Sequence, residues 1–198
     1  MNSNKLAFIG GSGIYKLDIL NEVIEHDIVS SFGKPSSKIL EGKVNGNSIF
    51  FLSRHGVGHR LSPSEINYRA NIECLKQLGV TDIISLSAVG SLREDLDPGT
   101  FVIVDQFIDR TINRKKSFFN EGIVAHVPLA NPTSLELRKL SKKILNKLKI
   151  KNFLGGTYLA MEGPQFSTKA ESNLYRKWGC DVIGMTNMPE AKLAREAE

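Results

Sequence analysis

Long uninterrupted hydrophobic stretches are missing from this chain of 198 residues. No stretch approaches the roughly 18 apolar residues that a membrane-spanning helix requires. The first apolar run, Leu6 to Ile9, is also too short for the core of a secretory signal peptide. We therefore expect a cytoplasmic protein that has no membrane partner.

Cysteine is scarce, since Cys74 and Cys180 are the only two in the sequence. Their spacing does not match any pattern of paired metal ligands, and two cysteines are too few for a disulfide framework. We therefore expect no metal site, and a reducing compartment fits this cysteine content.

Acidic residues are outnumbered, with 21 Asp and Glu against 26 Lys and Arg, which gives a net charge of +5. Aromatic residues are not interleaved with the lysines as single-strand nucleic-acid binding requires. Residues 133–150 instead predict an amphipathic helix whose lysines face solvent. Its apolar stripe contains Leu137, Leu140, Ile144 and Leu148. We therefore expect no nucleic-acid partner; the alternative, binding through this helix, predicts an affinity that falls steeply with salt.

Short apolar runs followed by turns alternate with helical patterns along the chain. The runs are Leu6–Ile9, Ser48–Ser53, Ile83–Ser87, Phe101–Val104, Thr157–Met161 and Val182–Met185. This alternation predicts an α/β protein. No linker separates the runs, so we expect one domain over residues 1–198.

Two helix starts carry clear capping signals. Residues 62–65, Ser-Pro-Ser-Glu, combine an N-cap serine, a proline at the first helical position and a glutamate three residues after the cap. Thr168 and Glu171 repeat the threonine-glutamate part of this pattern. We predict helices that begin at Ser62 and Thr168, the first of which ends before Gly79.

A glycine-rich turn, GGSG, follows the first apolar run at residues 10–13. Glycines let the backbone approach a phosphate closely, and Ser12 adds a hydroxyl donor. The spacing does not fit a dinucleotide-binding fingerprint, because Lys16 occupies the position of the third glycine. A tight strand-to-helix turn without a ligand is the alternative explanation.

The second apolar run leads directly into Arg54 and His55. A buried guanidinium needs an anionic partner, and its planar fork suits phosphate oxygens. One later run ends at Ser87 and another is followed directly by Thr186, and these two residues add hydroxyl donors. Because ligands of open α/β sheets gather at the carboxyl ends of strands, we predict that Arg54, Ser87 and Thr186 bind one inorganic phosphate together with Ser12.

Seven segments of the chain are similar to a known family. They read GGSGIY, RHGVGH, NYRAN, SAVGSLRE, PGTFVIVDQFIDRT, MEGPQFSTKAES and DVIGMTNMPEAKLARE. Together they resemble the methylthioadenosine phosphorylase branch of the trimeric purine nucleoside phosphorylases, from about residue 6 to residue 198. The resemblance implies a single α/β domain with a mixed, twisted central sheet flanked by helices, assembled as a homotrimer.

The resemblance also implies roles for individual residues. Phe166 and Ser167 would line the purine pocket, and this pair is similar to the adenine-accepting branch. Met185 would lie against the ribose, although an ordinary core methionine is the alternative, and Glu162 is another candidate for a ribose contact. His126 would reach the pocket for the 5′-substituent of a neighbouring subunit. The residues that would hold phosphate are Ser12, Arg54, His55, Ser87, Ala88 and Thr186.

The implied reaction is phosphorolysis of 5′-methylthioadenosine to adenine and 5-methylthioribose 1-phosphate. Inorganic phosphate is the co-substrate and itself attacks C1′, so we expect neither an organic cofactor nor a metal. The protein would hold this anion below the sugar and stabilise an oxocarbenium-like transition state.

The resemblance implies a general acid that this chain does not contain. An aspartate that protonates the purine would follow the helix near Pro189, beyond Glu198, so we expect a chain truncated at its C-terminal side. Two alternatives stay open. One is a nucleoside phosphorylase for 6-oxopurines such as inosine and guanosine. The other is an inactive fragment that binds phosphate or nucleoside.

Overall fold

Strands and helices alternate along the described residues, 4–14, 17–120 and 122–198 of a computed structural model. The strands are β1 (Leu6–Gly10), β2 (Asn21–His26), β3 (Ile39–Val44), β4 (Asn47–Ser53), β5 (Asp82–Ser85), β6 (Gly90–Ser91), β7 (Phe101–Ile103), β8 (Gln106–Asp109), β9 (Asn152–Leu154), β10 (Thr157–Ala160) and β11 (Val182–Gly184). The helices are α1 (Tyr68–Gln77), α2 (Leu135–Lys147), α3 (Lys169–Lys177) and α4 (Asn187–Ala197). Each of the six predicted apolar runs overlaps one of these strands.

The largest sheet has five strands in the order β2-β3-β4-β1-β5. β1 lies parallel to both β4 and β5, and it places Gly10 beside Ser53 and Ile9 beside Ser85. β3 pairs antiparallel with β2 and β4. The carboxyl ends of β1, β4 and β5 therefore lie side by side at one edge.

A second sheet has the order β6-β11-β10-β8, and β7 and β9 form a separate parallel pair. β10 runs parallel to β8 and β11, whereas β6 pairs antiparallel with β11. The predicted mixed α/β class is confirmed. Within the described residues the strands are distributed over these three sheets, where a single central sheet was expected.

The main core lies between the five-stranded sheet and helices α1 and α4. Ile9, Phe50 and Leu52 point from the sheet into this core, where they pack with Leu75 of α1 and Leu193 of α4. α1 and α4 also contact each other. These contacts attach α4 to the edge where β1, β4 and β5 end.

Helix α1 begins later than the capping pattern predicts. Residues 62–65 form a turn in which the Ser62 amide donates to the Glu65 carboxylate at 2.9 Å. The helix itself is capped by Asn67, whose side-chain oxygen accepts from the Ala70 amide. Asn67 also donates to the Phe32 carbonyl at 2.7 Å, so a tertiary contact fixes the cap. The predicted end before Gly79 is confirmed, as is the capping box of Thr168 and Glu171 on α3.

Helix α2 forms as predicted but none of its residues is buried. It contacts β9 and β7, and the half-buried side contains Leu137 and Leu145. The predicted stripe is therefore largely in solvent: Leu140 is 51%, Ile144 47% and Leu148 60% exposed. The spacing of the apolar residues predicted the helix correctly. It did not predict which side of the helix packs against the strands.

The described part of the chain contains no helix that is long and apolar enough to cross a bilayer. In the same residues, no group of three histidine, cysteine, aspartate or glutamate side chains is placed to hold a metal ion. Cys74 and Cys180 are both buried as free thiols.

Candidate functional site

A cavity of about 790 Å³ opens where the carboxyl ends of β1, β4, β5, β10 and β11 meet. Nine of the ten predicted site residues line it. They are Ser12, Arg54, His55, Ser87, Ala88, Phe166, Ser167, Met185 and Thr186. The tenth, His126, lines a separate cavity of about 220 Å³ with Lys116, Lys192 and Glu196. The fold therefore brings the phosphate and purine candidates together, while the binding role of each residue stays a prediction.

The glycine-rich turn after β1 is held tightly against its neighbours. A Cβ atom at Gly11 would lie 2.6 Å from the Leu86 carbonyl oxygen and 2.8 Å from Arg54 Nη1. Such distances are far below van der Waals contact, so only glycine fits this position. The turn can approach the ends of β4 and β5 because residue 11 has no side chain.

The anionic partner that the sequence requires for Arg54 is Glu190, in the first turn of α4. Arg54 is fully buried, and its Nε and Nη2 donate to the two Glu190 carboxylate oxygens at 2.9 and 3.1 Å. Burial alone would lower the pKa of Arg54, but the charge and hydrogen bonds of Glu190 raise it. The pair is 136 residues apart in sequence, so no local pattern could have identified Glu190 as the partner.

The other donors of Arg54 hold the end of β5 and the residues after it. Nη2 donates to Ser85 Oγ at 2.6 Å, while Nη1 donates to the Leu86 carbonyl at 2.8 Å and to Ser87 Oγ at 3.2 Å. Ser87 Oγ lies 3.1 Å from Thr186 Oγ1. The guanidinium thus orients two of the predicted phosphate hydroxyls through Ser87, while its own N–H groups donate to protein oxygens.

His55 is held as a neutral ring. Its Nδ1 lies 2.8 Å from the Leu61 carbonyl oxygen, which can only accept, so Nδ1 carries the proton. Desolvation lowers the pKa of His55, and the nearby His59 and Arg54 lower it further. The ring stacks on His59 with centroids 4.2 Å apart. At neutral pH the Nε2 atom of His55 is therefore a hydrogen-bond acceptor.

The lining of the cavity also contains an exposed aromatic ring. Phe166 is 89% exposed although it lines the cavity, whereas the neighbouring Ser167 hydroxyl lies 2.8 Å from that of Ser172. Met185 is half-buried and lines the same cavity, so it is not an ordinary core methionine; Met188 is the buried one, at 2% exposure. The lining of the cavity therefore combines the apolar side chains of Phe166 and Met185 with the hydroxyl groups of Ser12, Ser87 and Thr186.

Asp109, at the end of β8, takes part in an ion-pair cluster with Lys116 and Lys192, which line the smaller cavity. Lys192 donates to Asp109 Oδ2 at 2.5 Å, and Lys116 Nζ lies 3.2 Å from the same atom. Burial raises the pKa of Asp109, but hydrogen bonds from Lys192 and Thr111 outweigh burial and lower it to about 2. Arg110 takes no part, since it lies over the Trp178 ring.

We expect Asp109→Asn to lower the free energy of unfolding by about 2 kcal/mol at pH 7. The folded-state pKa lies below the ordinary value of 3.8, so Asp109 stabilises the fold above that value. This contribution disappears as the pH falls toward 2. Urea unfolding at pH 7 and pH 3 should therefore show a larger difference between wild type and variant at pH 7. Equal differences at both pH values would contradict the assignment, and Asp97→Asn, at an exposed ion pair, is the control.

Comparison with known proteins assigns the family. The sequence model of the phosphorylase superfamily matches residues 5–198. The chain belongs to the phosphorylase superfamily. It is 62% identical over 193 residues to S-methyl-5′-thioadenosine phosphorylase of Rhodospirillum rubrum, covering 98% of this chain and 66% of the relative. It is 57% identical over 198 residues to the enzyme of the same name from Bradyrhizobium diazoefficiens, covering 100% of this chain and 68% of the relative.

Solved structures agree with this membership. A methylthioadenosine phosphorylase from an Antarctic soil metagenomic library superposes with a TM-score of 0.93 at 49% identity, covering 98% of this chain and 69% of that chain. An S12T mutant of the Schistosoma mansoni adenosine/methylthioadenosine phosphorylase, in complex with methylthioadenosine, gives 0.95 at 36% identity and covers 98% and 76%. The predicted membership of the methylthioadenosine phosphorylase branch is confirmed. This phosphorylase superfamily member spans about two thirds of the length of its curated relatives.

Proposed function

We propose that the protein carries out phosphorolysis of 5′-methylthioadenosine, giving adenine and 5-methylthioribose 1-phosphate. The observation that carries this proposal is the convergence of nine predicted site residues on one cavity. The high identity to enzymes named S-methyl-5′-thioadenosine phosphorylase supports the choice of substrate.

Phosphate occupies the hydroxyl-rich end of the cavity. Ser12, Ser87 and Thr186 present their hydroxyl groups there, with Ser87 exchanging the hydrogen bond that it donates to Asn187 Oδ1 for one to phosphate, and Arg54 supplies the positive charge behind them. Neutral His55 accepts a hydrogen bond at Nε2 from the O–H group of monohydrogen phosphate, a form present at neutral pH. The attacking oxygen then keeps its negative charge for C1′.

The nucleoside occupies the opposite end. Phe166 presents an aromatic face to the purine, Ser167 lies beside it, and Met185 contacts the ribose from the strand end next to Thr186. Because Thr186 directly follows Met185, the sugar and the phosphate lie next to each other. That arrangement converts the attack on C1′ into a reaction between two pre-aligned groups.

Phosphate is a co-substrate in this proposal, and the reaction needs no cofactor, metal or covalent intermediate. The protein holds the phosphate anion next to the positive charge that develops on the ribose. Among the described cavity residues there is no aspartate, so an aspartate as the leaving-group acid stays a prediction.

A homotrimer in the cytoplasm completes the proposal. His126 lies outside the large cavity of its own chain, as expected of a residue that serves the 5′-substituent pocket of a neighbouring subunit. Sedimentation equilibrium tests the assembly directly, because a monodisperse monomer that binds methylthioadenosine tightly would contradict the shared pocket.

We expect adenine release from methylthioadenosine only when inorganic phosphate is present, and much slower release of hypoxanthine from inosine. Chromatography of both reactions, with and without phosphate, measures this. Faster turnover of inosine would favour the 6-oxopurine alternative. Binding of both ligands by calorimetry without any turnover would indicate a binding fragment, and no binding of either would contradict the proposed function.

A further inference from the structure

Arg114, a buried arginine behind the cavity wall, contacts three of the chain segments that form the cavity. It follows β8, its side chain is 1% exposed, and it does not itself line the cavity. Burying a cation is costly unless its donors are satisfied. The hydrogen-bond acceptors that Arg114 contacts should therefore explain why a cation is buried at this position.

Most donors of Arg114 go to backbone oxygens of two cavity segments. Nη2 donates to the Glu162 carbonyl at 2.6 Å, at the start of the segment that leads to Phe166. Nη1 donates to the carbonyls of Met185 and Met188, the latter at 2.7 Å. One rigid guanidinium thus joins the purine-facing segment to the ribose-facing strand end.

The third segment is the turn at residues 62–65, which also lines the cavity. Arg114 Nε donates to Ser64 Oγ at 3.4 Å, and Ser64 in turn donates to the Glu162 carboxylate. The Ile112 amide donates to the same carboxylate at 2.5 Å. Although burial raises the pKa of Glu162, the hydrogen bonds from Ser64 and Ile112 lower it. Glu162 is therefore an anion beside Arg114, with 3.8 Å between its Oε1 and Nε.

A direct packing contact makes the shape of the nucleoside end sensitive to the spacing between these segments. A Cβ atom at Gly163 would lie 2.5 Å from Met185 Sδ, so the purine-facing segment already touches the methionine proposed to face the ribose. Small movements of residue 162 relative to residue 185 would change the shape of the nucleoside end. The residues at the ends of β1, β4 and β5, which form most of the phosphate end, make no hydrogen bond to Arg114.

We infer that Arg114 is a positioning residue that sets the distance between the purine-facing segment and Met185, and so controls nucleoside affinity far more than phosphate affinity. This inference rests on the proposed function of the cavity. A lysine cannot replace Arg114, because its donors radiate from one nitrogen and cannot span carbonyls on two segments.

The test uses the full 198-residue chain and measures the dissociation constants of methylthioadenosine and inorganic phosphate separately by calorimetry. Displacement of a binding group by about 1 Å can cost about a hundredfold, so we expect Arg114→Lys to weaken methylthioadenosine binding at least about tenfold. Phosphate binding should change less than about threefold, since only Thr186 adjoins the displaced segment. Arg110→Lys, four residues earlier and exposed, is the matched control and should change neither constant.

A second variant separates positioning from folding. Arg114→Ala leaves a space that methylguanidinium can fill, and added methylguanidinium should restore much of the methylthioadenosine affinity without changing that of Arg110→Lys. The inference would be overturned if the affinities for both ligands fell equally, if neither affinity fell, or if both variants failed to fold. Failure of the wild-type chain to bind methylthioadenosine or phosphate would instead count against the proposed function.

Discussion

Replacing Arg54 with methionine is expected to weaken phosphate binding by about a hundredfold or more and to lower the free energy of unfolding by about 3–5 kcal/mol. The first effect follows from removing the positive charge behind the phosphate end of the cavity. The second follows because the Glu190 carboxylate, 4% exposed, would be left without its bidentate partner. Calorimetry with inorganic phosphate and urea unfolding measure the two effects.

The two effects can be separated with the double variant Arg54→Met, Glu190→Met. A buried ion pair can often be replaced by well-packed apolar residues without loss of stability, so the double variant should recover most of the free energy of unfolding. Phosphate binding should not recover, because the charge is still absent. Wild-type phosphate affinity in either variant would contradict the assignment of Arg54, whatever happened to stability.

Replacing Gly184 with alanine is expected to lower the free energy of unfolding by about 1–3 kcal/mol and to weaken phosphate binding as well. The new Cβ would clash with the Tyr158 hydroxyl and lie 2.6 Å from Tyr158 Cζ. Tyr158 is 1% exposed and cannot move aside. Its hydroxyl also accepts from the Thr186 amide at 3.3 Å, so the clash displaces a predicted phosphate residue.

The control for this clash is the double variant that combines Gly184→Ala with Tyr158→Phe. Removing the hydroxyl relieves part of the overlap, so the double variant should be more stable than the sum of the two single effects predicts. Simple additivity would show that the overlap is not the cause. A change of less than about 0.5 kcal/mol in Gly184→Ala would contradict the close packing itself.

The sequence was most informative where chemistry and strand ends coincide. Ser12, Arg54 and Ser87 lie at or just after the end of an apolar run, and the parallel strands β1, β4 and β5 bring such positions to one edge. The meeting of these three at one cavity could therefore be expected from the order of residues, whereas Thr186 follows β11 of the second sheet and reaches the cavity from there. The resemblance to a known family added Phe166 and the other purine-side residues, which no residue pattern marks as a site.

The sequence was least informative where the fold depends on pairs that are distant along the chain. Glu190 and Arg114 both look like ordinary surface charges in sequence. Nothing local distinguishes a buried charge whose partners lie 46 to 136 residues away. The predicted start of α1 was wrong for a similar reason. Asn67 caps the helix while also donating to the Phe32 carbonyl, and that contact exists only in the folded chain.

Helix α2 shows the limit of periodicity. The pattern of leucines and lysines correctly predicts a helix, but it does not specify which side rests on β7 and β9. Leu140, Ile144 and Leu148 lie largely in solvent as a result. An apolar stripe thus identifies the helix, and only the neighbouring strands determine its rotation.

Helix α4 connects the five-stranded sheet to the second sheet. Within three turns, Glu190 binds Arg54 of the five-stranded sheet, Lys192 binds Asp109 of the second sheet, and Leu193 fills the main core. Lys76 of α1 contacts the C-terminal end of α4 by donating to the Glu198 carbonyl at 2.8 Å. Unfolding this helix would loosen both sheets at once, so the geometry of the edge where β1, β4 and β5 end depends on an ordered α4.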